Sequence, residues 1–154
     1  MGISYAKGGG GGGPSITQML AALLSRSNIW NAGQFMTNHD IGVVNAGAII
    51  ADLALSNVQK VTVGGNVSVN LINWPATGIF GEILIQMYNG GSGVITWPTV
   101  QWMVPGTDQI FTSANFAAYL TALGRSPAVL KASGLDMIHF WSADGGATIY
   151  GRVI

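Results

Sequence analysis

The chain has 154 residues, enough for one domain with its own core, and 49% of them are hydrophobic. Only 8% are charged, against roughly a quarter in a typical soluble domain, and six cations balance six anions. The charge balance excludes the basic stripe that nucleic acid requires, the lack of an apolar run of about 18 residues excludes a membrane-spanning helix, and the lack of cysteine excludes disulfides and thiolate metal sites.

Residues 1–13, MGISYAKGGGGGG, form a low-complexity arm. Six consecutive glycines lose too much backbone entropy to fold alone, so the arm reads as a tether or strap. Pro14 to Arg26 is predicted helical, because Ile16, Met19, Leu20, Leu23 and Leu24 share one face at i, i+3, i+4, i+7, i+8 spacing. About three turns are unstable alone in water, so this helix needs a partner surface. A glycine tract rather than a basic segment precedes the apolar run MLAALL, and no signal peptide is expected. Residues 1–37 are therefore assigned to anchoring, with Gly8, Gly13, Ile16, Met19, Leu20, Leu23 and Leu24 as candidate anchoring residues.

From Asn38 to Ile154 the texture is β. A weaker strand is predicted over 47–55. Three hairpins are predicted: 58–63 with 66–72 across Gly64-Gly65, 79–88 with 94–97 across NGGSG, and 135–142 with 147–154 across ADGG. A short helix over 112–124 interrupts them, with Ser113 as N-cap, Phe116, Tyr119, Leu120 and Leu123 on one face, and Gly124 at the stop. The expected fold is mainly β: an antiparallel, jelly-roll-like β-sandwich with a Gly-rich N-terminal arm and two short helices.

Trp97 and Trp102 differ in parity, and Pro98 breaks any ladder between them, so a flat double-tryptophan platform is not expected. One ring is expected in the core and the other at an edge or a neighbouring subunit. Trp97, Trp102, Phe116 and Tyr119 are the candidate interface or glycan-facing aromatics, and Trp74 and Trp141 are candidates for the same environment.

The run from Lys60 to Trp102 resembles a recurrent β-domain of bacteriophage tail fibres, head fibres and related virion proteins. Its TGN hairpin, LxLxQ strand, GG turn and VTWP…VKW segment correspond here to Gly64–Asn66, Leu84–Gln86, Gly90-Gly91, and Val94–Trp97 with Pro98, Val100 and Trp102. The DxLxFxxxDGGTxxYG ending corresponds to Asp136, Ile138, Phe140, Asp144-Gly145-Gly146 and Tyr150-Gly151. The similarity covers about 58–154. Two departures, the MVPGTDQ segment with its helical insertion and the lack of a fibrous shaft, fit a compact protein mounted on a larger shell.

The resemblance implies an oligomeric, trimeric structural protein of the virion, assembled in the cytoplasm of a bacterial host, without catalysis. Capsid decoration, cement or head-fibre duty is the first expectation, with the major capsid protein or tail and portal components as partners. The alternative is a tail-fibre receptor-binding tip for host surface glycan. A third reading is a lectin-like sandwich.

The residues themselves give no catalytic constellation. His39 and His139 are far apart in sequence, and His139 shares a strand face with Met137 and Trp141. Asp108 and Asp144 read as turn residues rather than as a hydrolytic pair with Asp40 or Asp136. No G-x-S-x-G occurs, and the glycine tract lacks the strand and lysine of a phosphate loop. No metal, cofactor or catalytic residue is assigned. The sequon Asn66-Val67-Ser68 lies within a predicted hairpin, with no secretory context.

Overall fold

The computed structural model describes residues Asn38 to Ile154. The Gly-rich arm and the helix expected over 14–26 lie outside the described residues, as do Gly8, Gly13, Ile16, Met19, Leu20, Leu23 and Leu24.

The described residues are mainly β. Strands β1 (His39–Val44), β3 (Val58–Val63), β5 (Gly81–Tyr88), β9 (Leu135–Ser142), β10 (Tyr150–Val153), β7 (Gln101–Met103) and β8 (Ile110–Thr112) form a seven-stranded sheet in that spatial order. Strands β2 (Gly47–Asp52), β4 (Val67–Ile72) and β6 (Ile95–Thr96) form a three-stranded sheet. The chain alternates between the two sheets from β1 to β6, and within each sheet those strands run parallel. The expected antiparallel order holds for β5–β9, β9–β10 and β7–β8 alone, while β7 and β10 also pair in parallel.

The first two predicted hairpins are therefore wrong and the third is right. The reason is parity. A two-residue turn at Gly64-Gly65 would place Val61 and Val63 on the same face as Asn66 and Ser68, leaving Val67 and Val69 on the other. Crossing into the second sheet instead lets Val61, Val63, Val67 and Val69 all enter the core, where each is at most 4% exposed. The β9–β10 pair satisfies hairpin parity directly: Phe140 faces Gly151 and Ile138 faces Val153 inward, while Trp141 faces Tyr150 outward.

Successive turns stack at one end of this coil. Gly64 N–H donates to Val44 O (2.9 Å), Val67 N–H donates to Val94 O (3.0 Å), and Val94 N–H donates to the Asn66 side-chain oxygen (2.9 Å). A Cβ at Gly65 would collide with the Asn45 carbonyl, and one at Gly93 with the Gly65 carbonyl. At the other end, the buried Gln59 side chain donates to the carbonyls of Asp52 and Ser56 and closes the β2–β3 connection.

The expected helix forms as a 3-10 turn, Ser113–Asn115, followed by α1, Phe116–Ala122. Ser113 does not cap it. Its hydroxyl accepts from Val100 N–H (2.9 Å) and donates to Pro98 O, tying the helix to the β6–β7 segment. Gly124, at φ +78°, stops the helix with its N–H on Thr121 O (2.8 Å). Inward rows of both sheets and the inner face of α1 join one hydrophobic cluster.

Candidate interaction surfaces

The four aromatics singled out as interface or glycan-facing lie together in or against the core. Trp102 and Tyr119 are fully buried, Trp97 is 8% exposed, and Phe116 is half-buried. Trp97 meets Trp102 edge to face (centroids 5.1 Å apart, planes at 75°), and Phe116 and Tyr119 lie 4.5 and 5.4 Å from Trp102. The expectation that one tryptophan faces outward is corrected here. Trp97 follows β6 of the small sheet and Trp102 belongs to β7 of the large one, so opposite parity brings both rings inward. Trp102 and Tyr119 offer no open face on which a glycan could stack. A small cavity of about 140 Å³ lies beside them, lined by Ile95, Trp97, Phe116, Leu120 and Leu130 and by the backbone of Gly90, Gly91 and Gly93 among others.

Helix α1 is pinned by a buried hydrogen bond in which Val153 N–H donates to the Tyr119 hydroxyl (2.7 Å). Burial raises the Tyr119 phenol pKa above its ordinary value, and that bond lowers it in part. The sequence also gave no warning of a buried clamp. Asp136 is 1% exposed, accepts from Lys131 N–H (2.7 Å) and lies 2.8 Å from the Arg125 guanidinium. It fastens the segment between α1 and β9 to the large sheet.

Asp144 accepts from Thr148 N–H and from the Ser142 hydroxyl, each at 2.8 Å, within a turn whose Gly145 and Gly146 have φ +74° and +84°. These bonds lower its pKa, the backbone N–H of Thr148 first among them. Asp108 is exposed in the β7–β8 turn, where Thr107 supplies the bonds to Val104 O and from Gln109 N–H (both 3.1 Å). His39 opens β1. Among the described residues no group of three or more His, Asp or Glu is placed to hold a metal, and no helix is long and apolar enough to cross a membrane.

The two outer sheet faces differ. The small sheet presents Ala48, Ile50, Ser68, Asn70, Ile72 and Thr96, with no charge until Asp52 at its end. The large sheet presents a block of planar groups. Trp141 on β9 stacks on Tyr150 of β10 (centroids 5.9 Å, 17°), the Arg152 guanidinium lies 5.7 Å from the Trp141 ring, and His139 lies 5.1 Å from it. His139 Nε2 bonds Glu82 of β5 at 3.0 Å. Trp74, by contrast, packs against the core. Sequence reading placed Trp141 among interface candidates but not the block around it, which arises from cross-strand register.

Large apolar side chains also stand in solvent. Leu55, Ile79 and Phe80, in the connections after β2 and β4, are 57%, 55% and 59% exposed, and Val43 and Val94 reach 66% and 68%. No family model, curated protein or solved structure matches this chain.

Proposed function

We propose that this chain is a structural subunit of a bacteriophage virion, a capsid decoration, cement or head-fibre protein that works as a trimer. The observation that carries this reading is the surface: exposed large hydrophobics such as Val43, Leu55, Ile79, Phe80 and Val94 occur on a chain with only 8% charged residues. Such a surface loses free energy in water and gains it, at about 25 cal/mol per Å² of apolar area, when another protein covers it. The fibre-like motifs from Lys60 to Tyr150-Gly151 support the same reading, with the two sheets as layers of a sandwich. The Gly-rich arm and the apolar segment 14–26 anchor the subunit to the capsid protein, and many symmetric copies offset the ordering cost of polyglycine.

Light scattering on the purified full chain tests the first half: an oligomer is expected, and a monomer at micromolar concentration would refute it. Removing residues 1–26 tests the second. The truncated protein is expected to keep its fold and lose attachment to phage particles; undiminished attachment would overturn the anchoring role.

A further inference from the structure

We infer that the outer face of the seven-stranded sheet, centred on Trp141, Tyr150 and Arg152, is the surface through which copies of this chain contact one another. This rests on the oligomeric reading above and names the surface that makes it.

Composition is the first argument. The centres of protein interfaces are enriched in Trp, Tyr, Arg and Met and poor in Lys and Asp, and the middle of this face has that make-up, with Lys60 and Asp40 kept to its β1–β3 side. Trp141, Tyr150 and Arg152 form its middle, with Met137 on β9 and Met103 on β7 to either side. Beside the block lies a depression of about 250 Å³ lined by Val58, Glu82, Leu84, His139 and Arg152, a seat for a large side chain.

Size is the second. The strands of this sheet differ in length, from eight residues in β5 and β9 to three in β7 and β8, and at about 3.3 Å rise and 4.8 Å spacing they make a face of roughly 600 Å², which with its connections approaches the about 800 Å² per partner of a stable interface. The small sheet is roughly 10 Å across by the same spacing and cannot supply that area alone.

Charge complementarity points to a sister copy. Arg152 has no carboxylate partner among the described residues, while Glu82, two strands away, keeps 49% of its side chain exposed although it bonds His139. One face thus carries both a guanidinium without a carboxylate partner and a reachable carboxylate, so around a three-fold axis the Arg152 of each copy can meet the Glu82 of the next. Strand addition at the sheet edge is disfavoured: β1 is interrupted by a bulge between Asp40 and Gly42 and carries the Asp40–Lys60 pair, and β8 has only three residues. Sugar stacking is disfavoured too, because Tyr150, Arg152 and His139 already crowd the Trp141 ring.

The test uses the full chain, with mass from light scattering across a dilution series and folding checked by thermal unfolding. Arg152→Glu and, separately, Trp141→Ala are expected to weaken association at least tenfold. Arg152→Glu combined with Glu82→Arg is expected to restore it, and Ile50→Asp on the small sheet to leave it unchanged. If Trp141→Ala unfolds, Arg152→Glu and its rescue decide. An oligomer indifferent to the Arg152 and Trp141 changes, or one dissolved by Ile50→Asp, overturns the assignment of the face while leaving the oligomeric reading intact. An oligomer unchanged by Arg152→Glu that no longer attaches to phage particles assigns the face to the shell and also overturns the proposal. A monomeric wild-type chain defeats the oligomeric reading itself.

Discussion

Gly151 lies opposite Trp102 in the parallel β10–β7 pair, and Val100, Phe140 and the Trp102 indole close in on the space a side chain at 151 would need. A Cβ there would come within 2.8 Å of Val100 Cγ1 and 3.1 Å of both Trp102 Cε3 and Phe140 Cδ1. The Tyr-Gly dipeptide therefore does two jobs: Tyr150 stacks on Trp141 outside, and Gly151 makes room for the aromatic core inside. Gly151→Ala is expected to destabilise the domain by about 1–3 kcal/mol, the usual cost of overpacking. Denaturant unfolding read by tryptophan fluorescence measures this, and a midpoint equal to wild type would show that the core yields.

The stacked turns permit a ranked comparison. Both Gly64 and Gly65 press on Asn45, but Gly64 meets the Asn45 side chain, which can move, and Gly65 meets its carbonyl, which cannot without shifting the β1–β2 turn. Gly65→Ala is expected to cost more than Gly64→Ala, and Gly93→Ala, aimed at the Gly65 carbonyl, to cost as much as Gly65→Ala. Gly106, with φ +76° and open space around it, is the control: Gly106→Ala carries only the left-handed backbone cost of about 1–2 kcal/mol. Unfolding midpoints of the four variants check the order. Equal losses at Gly64 and Gly65 would show that the turns do not stack as tightly as the coil requires.

These same turns mark where sequence reading stopped. Element type was legible: period-two alternation identified β3, β4, β5 and β9, and the Phe116, Tyr119, Leu120, Leu123 face with Gly124 identified α1. Pairing was not, because Gly-Gly between two strands serves a hairpin and a crossing between sheets equally well. The parity of Val61 and Val63 against Val67 and Val69 held the answer, since only the crossing buries all four. The aromatic cluster was misplaced for the same reason, as the parity of Trp97 and Trp102 settles direction only when both sit on one strand. The Trp141–Tyr150–Arg152 block depends on register across β9 and β10, and the Asp136–Arg125 clamp on a loop closing across the large sheet. Neither has a local signal.

That clamp makes a sharp prediction. Asp136 is buried, and its partners are the Arg125 guanidinium and Lys131 N–H. Removing one member of a buried pair strands the other, at about 3–5 kcal/mol. Asp136→Ala is expected near that range, because it also orphans the Lys131 N–H. Arg125→Ala is expected to cost less, since the arginine side chain is 24% exposed and water can reach the gap. Hydrogen exchange should show the loss first between Arg125 and Gly134, before β5 and β9 are affected. Uniform loss of protection would mean that the clamp supports the whole sheet rather than the loop.

Tyr119 links stability to alkaline pH. Its hydroxyl accepts from Val153 N–H inside the core, and Tyr119→Phe leaves that donor without a partner, at about 1–3 kcal/mol. Burial first of all raises the phenol pKa above its ordinary value of 10.0, so the folded state favours the neutral form more than the unfolded state does. The stabilisation is therefore whole below pH 10 and falls as pH rises through the raised value, because the unfolded chain releases its proton first. Tyr119→Phe is expected to be weaker than wild type at neutral pH yet to lose less on going from pH 9 upward, so the two stability curves converge. Urea midpoints for both proteins across the alkaline range measure this. Parallel curves would show that the phenol does not titrate within the core, and that the Val153 bond alone accounts for the residue.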